Sequence, residues 1–123
     1  MIRLQRAYQD AGEHDGFRVL VDRLWPRGLS KERARLDLWL REVAPSTQLR
    51  EWYGHRPDRQ PEFERRYRQE LAGSEGLETL VQVCSEHPIV TLLTATRDIA
   101  LSELPILQSV LEASVRSQPA KPR

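Results

Sequence analysis

Two short stretches of this chain admit few structures. Val19–Val21 and Ile89–Thr94 are apolar or β-branched at consecutive positions and are bounded by turn residues. A strand buried on both faces reads this way, because neither of its two side-chain sets meets water. Between the two runs lie segments with helical spacing. Phe63, Tyr67 and Leu71 recur every fourth residue, and Leu77, Leu80, Val81 and Cys84 share one helical face. A further helix is expected from about Glu103 to Val115, with Leu104, Leu107, Leu111 and Val115 inward. Helices placed between buried strands imply parallel pairing with helices packed on the sheet.

The remaining strands are read from alternation. Ile2 to Tyr8 alternates apolar and polar residues and predicts a half-exposed strand. Too few residues join it to Val19–Val21 for a helical crossover, so an antiparallel edge or hairpin is expected. Leu36, Leu38 and Leu40 alternate with Asp37, Trp39 and Arg41, which predicts a strand over 36–43, with a helix as the competing reading. Ser30, Ser46, Asp58, Ser74 and Ser102 stand where helix caps are needed. Gly54 and Gly73 stand where helices should end. The expected fold is therefore α/β: a small single domain over 1–116 with a mixed, mostly parallel sheet of about four strands covered by helices. Residues 117–123 are polar and proline-bearing and read as a disordered tail.

A chain of 123 residues supports one core and little more. Its formal net charge is +1, so no bulk field draws it to nucleic acid or to an anionic membrane. Lys31 and Lys121 are its lysines, and every other basic residue is arginine, whose planar fork suits carboxylate and phosphate. The single cysteine, Cys84, cannot form an internal disulfide and is expected to be buried and inert. No apolar run approaches a signal peptide or a membrane span, and the expected location is the reducing cytoplasm. His14, His55 and His87 lie far apart in sequence and, with Cys84, make no zinc spacing, so no metal is expected. There is no glycine-rich phosphate loop and no Gly-x-Ser-x-Gly elbow, and no cofactor is implied.

In an open α/β sheet, ligands bind outside the carboxyl ends of the parallel strands. Asp22 to Gly28, Pro45 to Thr47 and Thr94 to Asp98 fall there. Arg23, Arg27 and Arg97, with Ser46 and Arg50 near a helix start, would form a clamp for phosphate or carboxylate. A structural ion pair between Asp22 and an arginine is the competing reading. Asp22, His55 and Glu103 are the candidate acid–base groups. His55 follows Gly54 at a helix end and is equally readable as a residue that caps the helix terminus. Trp25, Trp39, Trp52 and Tyr53 read as core or pocket wall.

The segments Arg18–Lys31, Trp39–Thr47, Leu49–Arg50, the Phe63–Tyr67–Leu71 helix and Val90–Leu93 together resemble the YeaO-like branch of the domain-of-unknown-function 488 family. The run from Val21 to Gly28 is its most specific part. The resemblance implies a parallel α/β core, with a helix between the first two strands in longer relatives. It points to Asp22, Arg23, Trp25, Pro26, Arg27 and Gly28, to Pro45, Ser46 and Arg50, and to His55 and Arg97. Relatives often carry Tyr where this chain has Thr94, and Asn-His where it has Ser102 and Glu103. If that histidine is a catalytic base, Glu103 must replace it here or activity is lost.

Three functions compete. The first is a small anionic-ligand binder or enzyme using the arginine cluster. The second is a nucleic-acid-associated regulatory protein, disfavoured by the near-zero net charge. The third is a non-catalytic interaction domain, favoured by the missing Asn-His pair. No membrane partner is expected, and oligomeric state has no signature in the sequence.

Overall fold

A computed structural model describes residues 1–116, and the tail expected over 117–123 lies outside the described residues. The elements run β1 (Ile2–Arg6), β2 (Phe17–Leu20), α1 (Lys31–Ala34), β3 (Leu38–Trp39), α2 (Thr47–Tyr53), α3 (Gln60–Leu71), α4 (Glu75–Glu86), β4 (Val90–Thr94) and α5 (Leu104–Arg116). Three 3-10 turns, Arg41–Val43, Pro57–Arg59 and Ile99–Leu101, link them. The four strands form one sheet in the order β1-β4-β2-β3. Every pairing is parallel: β1 with β4, β4 with β2, and β2 with β3.

The two fully apolar runs are neighbours at the centre of that sheet, with Val19 opposite Leu92 and Leu20 opposite Leu93. Alternation along them splits the core. Val19, Val21 and Leu92 face a thick layer built by α2 to α5, where Tyr53, Phe63, Tyr67, Leu80, Leu107 and Leu111 pack. Leu20 and Leu93 face a thinner cover with Ala7, Leu29 and Ala34, flanked by Tyr8, Trp25 and Trp39. No helix among the described residues is long and apolar enough to cross a membrane.

Three local expectations are corrected. β1 does lie at an edge, but it is parallel to β4 rather than antiparallel. The Ala7–Gly16 connection returns across β4 without a helix. At about 3.3 Å per residue it reaches roughly 33 Å, ample for a five-residue strand of about 17 Å. Leu36–Val43 is not one strand. Only Leu38–Trp39 pairs with β2, after which the chain tightens into the 3-10 turn Arg41–Val43 and buries both Leu40 and Val43 in the main core. Asp58 does not cap α3. The 3-10 turn at Pro57–Arg59 leads straight into the helix and satisfies the Gln60 N–H on the Pro57 carbonyl, while Asp58 accepts from Arg56.

Other ends form as their side chains dictate. Ser30, Ser46 and Ser74 accept from the N–H groups of Arg33, Leu49 and Leu77. Ser102 accepts from the N–H of Leu104 at the start of α5. Gly76 sits inside α4 because a Cβ there would come within 3.0 Å of the backbone at Glu42 and Val43.

Candidate functional site

With all four strands parallel, their carboxyl ends open on one edge. A cavity of about 350 Å³ lies there, lined by Tyr8 after β1, Asp22 to Arg27 after β2, Ala44 and Pro45 after the first 3-10 turn, and Ala95 and Thr96 after β4. Arg50, Tyr53 and His55 close it from α2, Phe63 from α3, and Leu101 and Glu103 from the approach to α5.

Asp22 is fixed to the end of β4. Its Oδ1 accepts from the Thr94 hydroxyl (2.8 Å) and its Oδ2 from the Ala95 N–H (2.7 Å). The indole N–H of Trp39 donates to its carbonyl (2.8 Å). The expected alternative, an ion pair of Asp22 with an adjacent arginine, is absent among the described residues. Arg23 turns away and donates to the carbonyls of Pro45 and Ala44 (3.3 and 3.1 Å). The cation that acts on Asp22 is Arg50.

Glu103 stands just before α5 and meets Asp22. Its Oε1 is sealed from solvent and has no hydrogen-bond donor. Burial pushes both carboxyls up, and for Glu103 the neighbouring Asp22 charge adds to the effect. Bonds from Thr94 and Ala95 hold Asp22 back toward its ionised form, and Glu103 is pushed up further than Asp22. Tyr53 contributes a second buried, unpartnered oxygen, its phenol. Its ring stacks on Phe63 at 3.9 Å, and burial pushes the phenol up.

His55 does more than end a helix. Gly54 makes the α2 terminus, its N–H bonding to the Arg50 carbonyl at left-handed φ of 54°. His55 is also left-handed, at φ of 56°, and this turns its ring edge-on to Tyr53 and onto the cavity wall. The loop carrying Arg27 is anchored by the Tyr8 hydroxyl, which donates to the Arg27 carbonyl (2.8 Å), and by the Trp25 indole, which donates to Leu29 (2.7 Å).

The sequence-predicted residues thus divide. Asp22, Arg23, Arg27, Arg50, His55 and Glu103 share the cavity. Ser46 and Arg97 stand outside it. Ser46 caps α2, and Glu70 engages both its N–H (2.8 Å) and its hydroxyl (2.6 Å). Arg97 is exposed beyond Thr96. Tyr8 was missed, and its signal was topological: only a parallel β1 brings its own carboxyl end to this edge. Cys84 is half-buried rather than buried, and burial pushes its thiol up.

Charge accounting at the cavity is uneven. Arg23, Arg27 and Arg50 face it, and none is in an ion pair among the described residues. Against them stand the carboxyls of Asp22 and Glu103, both pushed up by burial. Several arginines elsewhere are matched: Arg65 and Arg66 share Glu62, Arg68 holds Glu64, and Arg41 lies over Trp39 at 3.9 Å.

Comparison with known proteins places the chain among uncharacterised relatives. The sequence model of the family described as "Inactive DUF488-N3 subclade" matches residues 1–123. An uncharacterised protein of Mycobacterium tuberculosis H37Rv is 44% identical over 110 residues, covering 89% of this chain and 92% of the relative. The uncharacterised protein YeaO of Escherichia coli K12 is 38% identical over 95 residues, covering 76% of this chain and 83% of the relative. No solved structure gives a significant match.

Proposed function

The chain belongs to the DUF488 family, in its DUF488-N3i subclade, and from that premise we propose that it is a binding protein for a small phosphate- or carboxylate-bearing ligand rather than a catalyst. One observation carries the reading. Arg23, Arg27 and Arg50 line one cavity, and none of them is in an ion pair among the described residues, whereas Arg65, Arg66 and Arg68 hold carboxylates and Arg41 lies over Trp39. Like charges gathered around one cavity repel one another, and a bound anion offsets that repulsion. A guanidinium recognises phosphate or carboxylate in a charge-assisted fork.

Two features favour binding over turnover. Both Asp22 oxygens are occupied by Thr94 and Ala95, and burial disfavours the ionised form of Glu103, so neither carboxyl is well placed as a general base. The description of the subclade as inactive agrees, as does the replacement of the expected Asn-His pair by Ser102 and Glu103.

Calorimetric titration with sulfate and with citrate tests the reading. Saturable one-site binding is expected in the native protein. Arg27→Ala and Arg50→Ala should each weaken it roughly tenfold or more, about 1.4 kcal/mol. Binding unaffected by both substitutions, or no binding of either anion, would refute it.

A further inference from the structure

Resting on that anion-site reading, we propose that Glu103 gates the cavity by its charge: protonated, it adds no negative charge beside Asp22 and the site admits an anion, and ionised, it makes the site repel the anion.

The argument begins from atoms. Glu103 lines the cavity, while its Oε1 is sealed and receives no donor. A carboxylate so placed is poorly compensated, because it is buried beside Asp22 and has no ion pair among the described residues, and a neutral acid is the cheaper form. Most of the groups around it are engaged elsewhere. From the end of β2, Arg23 donates to the Ala44 and Pro45 carbonyls, and Asp22 is itself a negative charge fixed by two donors. From β4, Thr94 gives its proton to Asp22. From α3, Tyr67 gives its own to the Val43 carbonyl (2.6 Å). From α2, Arg50 acts on Asp22. Arg27 and His55 face the same space from its rim. The direction of the Glu103 titration, well above the ordinary carboxylate range, agrees with this geometry.

A neutral Glu103 can give its proton to Asp22 and leaves the field of Arg27 and Arg50 at the cavity undiminished. Once ionised, it sets a second negative charge next to Asp22 and cancels much of the arginine field. Affinity should therefore follow the protonation of Glu103, and ligand binding at high pH should draw a proton into the protein.

Sulfate is the probe, because it does not titrate over the working range. In the native protein its affinity should fall at least roughly tenfold between about pH 5 and pH 9. Glu103→Gln keeps a neutral donor and should bind sulfate with the low-pH affinity throughout. His55→Gln should keep the native pH dependence, which separates the role of Glu103 from that of the imidazole on the rim. Binding heats in two buffers of different ionisation enthalpy should show proton uptake by the native protein at high pH, a readout that needs no variant. A flat native profile, a native-like fall in Glu103→Gln, loss of the fall in His55→Gln, or no proton uptake would each overturn the gate. Sulfate that fails to bind at every pH would instead overturn the anion site itself.

Discussion

The two ends of β2 carry the same residue types with opposite outcomes. At the amino end, Asp15 and Arg18 are 3% and 4% exposed and form a direct ion pair. Arg18 also donates through Nε and an Nη to the Ala34 carbonyl (3.2 and 2.9 Å), and Asp15 also accepts from the Gly12 N–H (2.9 Å). The Asp15 carbonyl is taken by the Thr91 hydroxyl (2.6 Å). At the carboxyl end, Asp22 meets another carboxyl, an oxygen of Glu103 has no donor, and the nearby guanidiniums face a cavity. Where carboxylate and guanidinium meet inside the protein, their charge and hydrogen bonds are used up and the pair holds the fold together. Where they are kept apart at the edge of a parallel sheet, recognition capacity is left over. Composition alone cannot distinguish the two ends, and partner accounting does.

The largest expected effect breaks the satisfied end. Arg18→Ala leaves buried Asp15 with only the longer contact to Arg3 (3.8 Å) and should cost about 3–5 kcal/mol in urea denaturation. A loss under about 1 kcal/mol would mean that the amino-end pair is not structural and that the contrast is false.

Next in size is the pH response of the other end. Glu103 keeps its proton in the folded protein above the pH at which the unfolded chain releases it. Native stability should therefore fall as pH rises from about 4.5 toward the folded value, with a slope of up to about 1.4 kcal/mol per pH unit. Glu103→Gln removes that penalty, so its stability relative to the native protein should grow with pH in paired urea melts. A constant difference would place the proton elsewhere.

Arg27→Ala and Arg50→Ala sharpen the comparison from the binding side. Both arginines are exposed and outside ion pairs among the described residues, so each substitution should change stability by no more than about 0.5 kcal/mol while weakening sulfate binding. Destabilisation as large as that of Arg18→Ala would make these arginines part of the scaffold.

The smallest effect belongs to a matched surface site. Arg65 and Arg66 lower Glu62 to about 2. Its contribution is present above the unfolded value near 4.5 and is lost as pH falls toward about 2. Because the group is solvent-exposed and screened, Glu62→Gln should leave the neutral-pH melting temperature almost unmoved.

How much of this was legible in the sequence depended on whether the deciding interaction was local. Val19–Val21 and Val90–Leu93 announced themselves because strands buried on both faces need apolar residues at every position. Ser30, Ser46 and Ser74 announced helix starts because a cap bonds an N–H three residues away. Asp58 imitated that signal, and only the 3-10 turn before α3 shows why no cap is needed there. β1 was misread in direction because its partner, β4, lies far along the chain and loop length alone does not choose between parallel and antiparallel. That error hid Tyr8. The sequence grouped Arg23, Arg27 and Arg97 with Ser46 and Arg50, but Arg97 and Ser46 lie outside the cavity that Arg23, Arg27 and Arg50 line, because the Glu70 grip on Ser46 and the meeting of Glu103 with Asp22 arise only when distant segments pack.

The most direct test of an anion site at the carboxyl edge is a crystal soaked in selenate, with the anion located by its anomalous signal. The account predicts a selenate within hydrogen-bond distance of Arg27 and Arg50, with Glu103 adjoining it. Selenate confined to surface arginines such as Arg65 and Arg66, with the cavity holding no anion at saturating concentration, would contradict it.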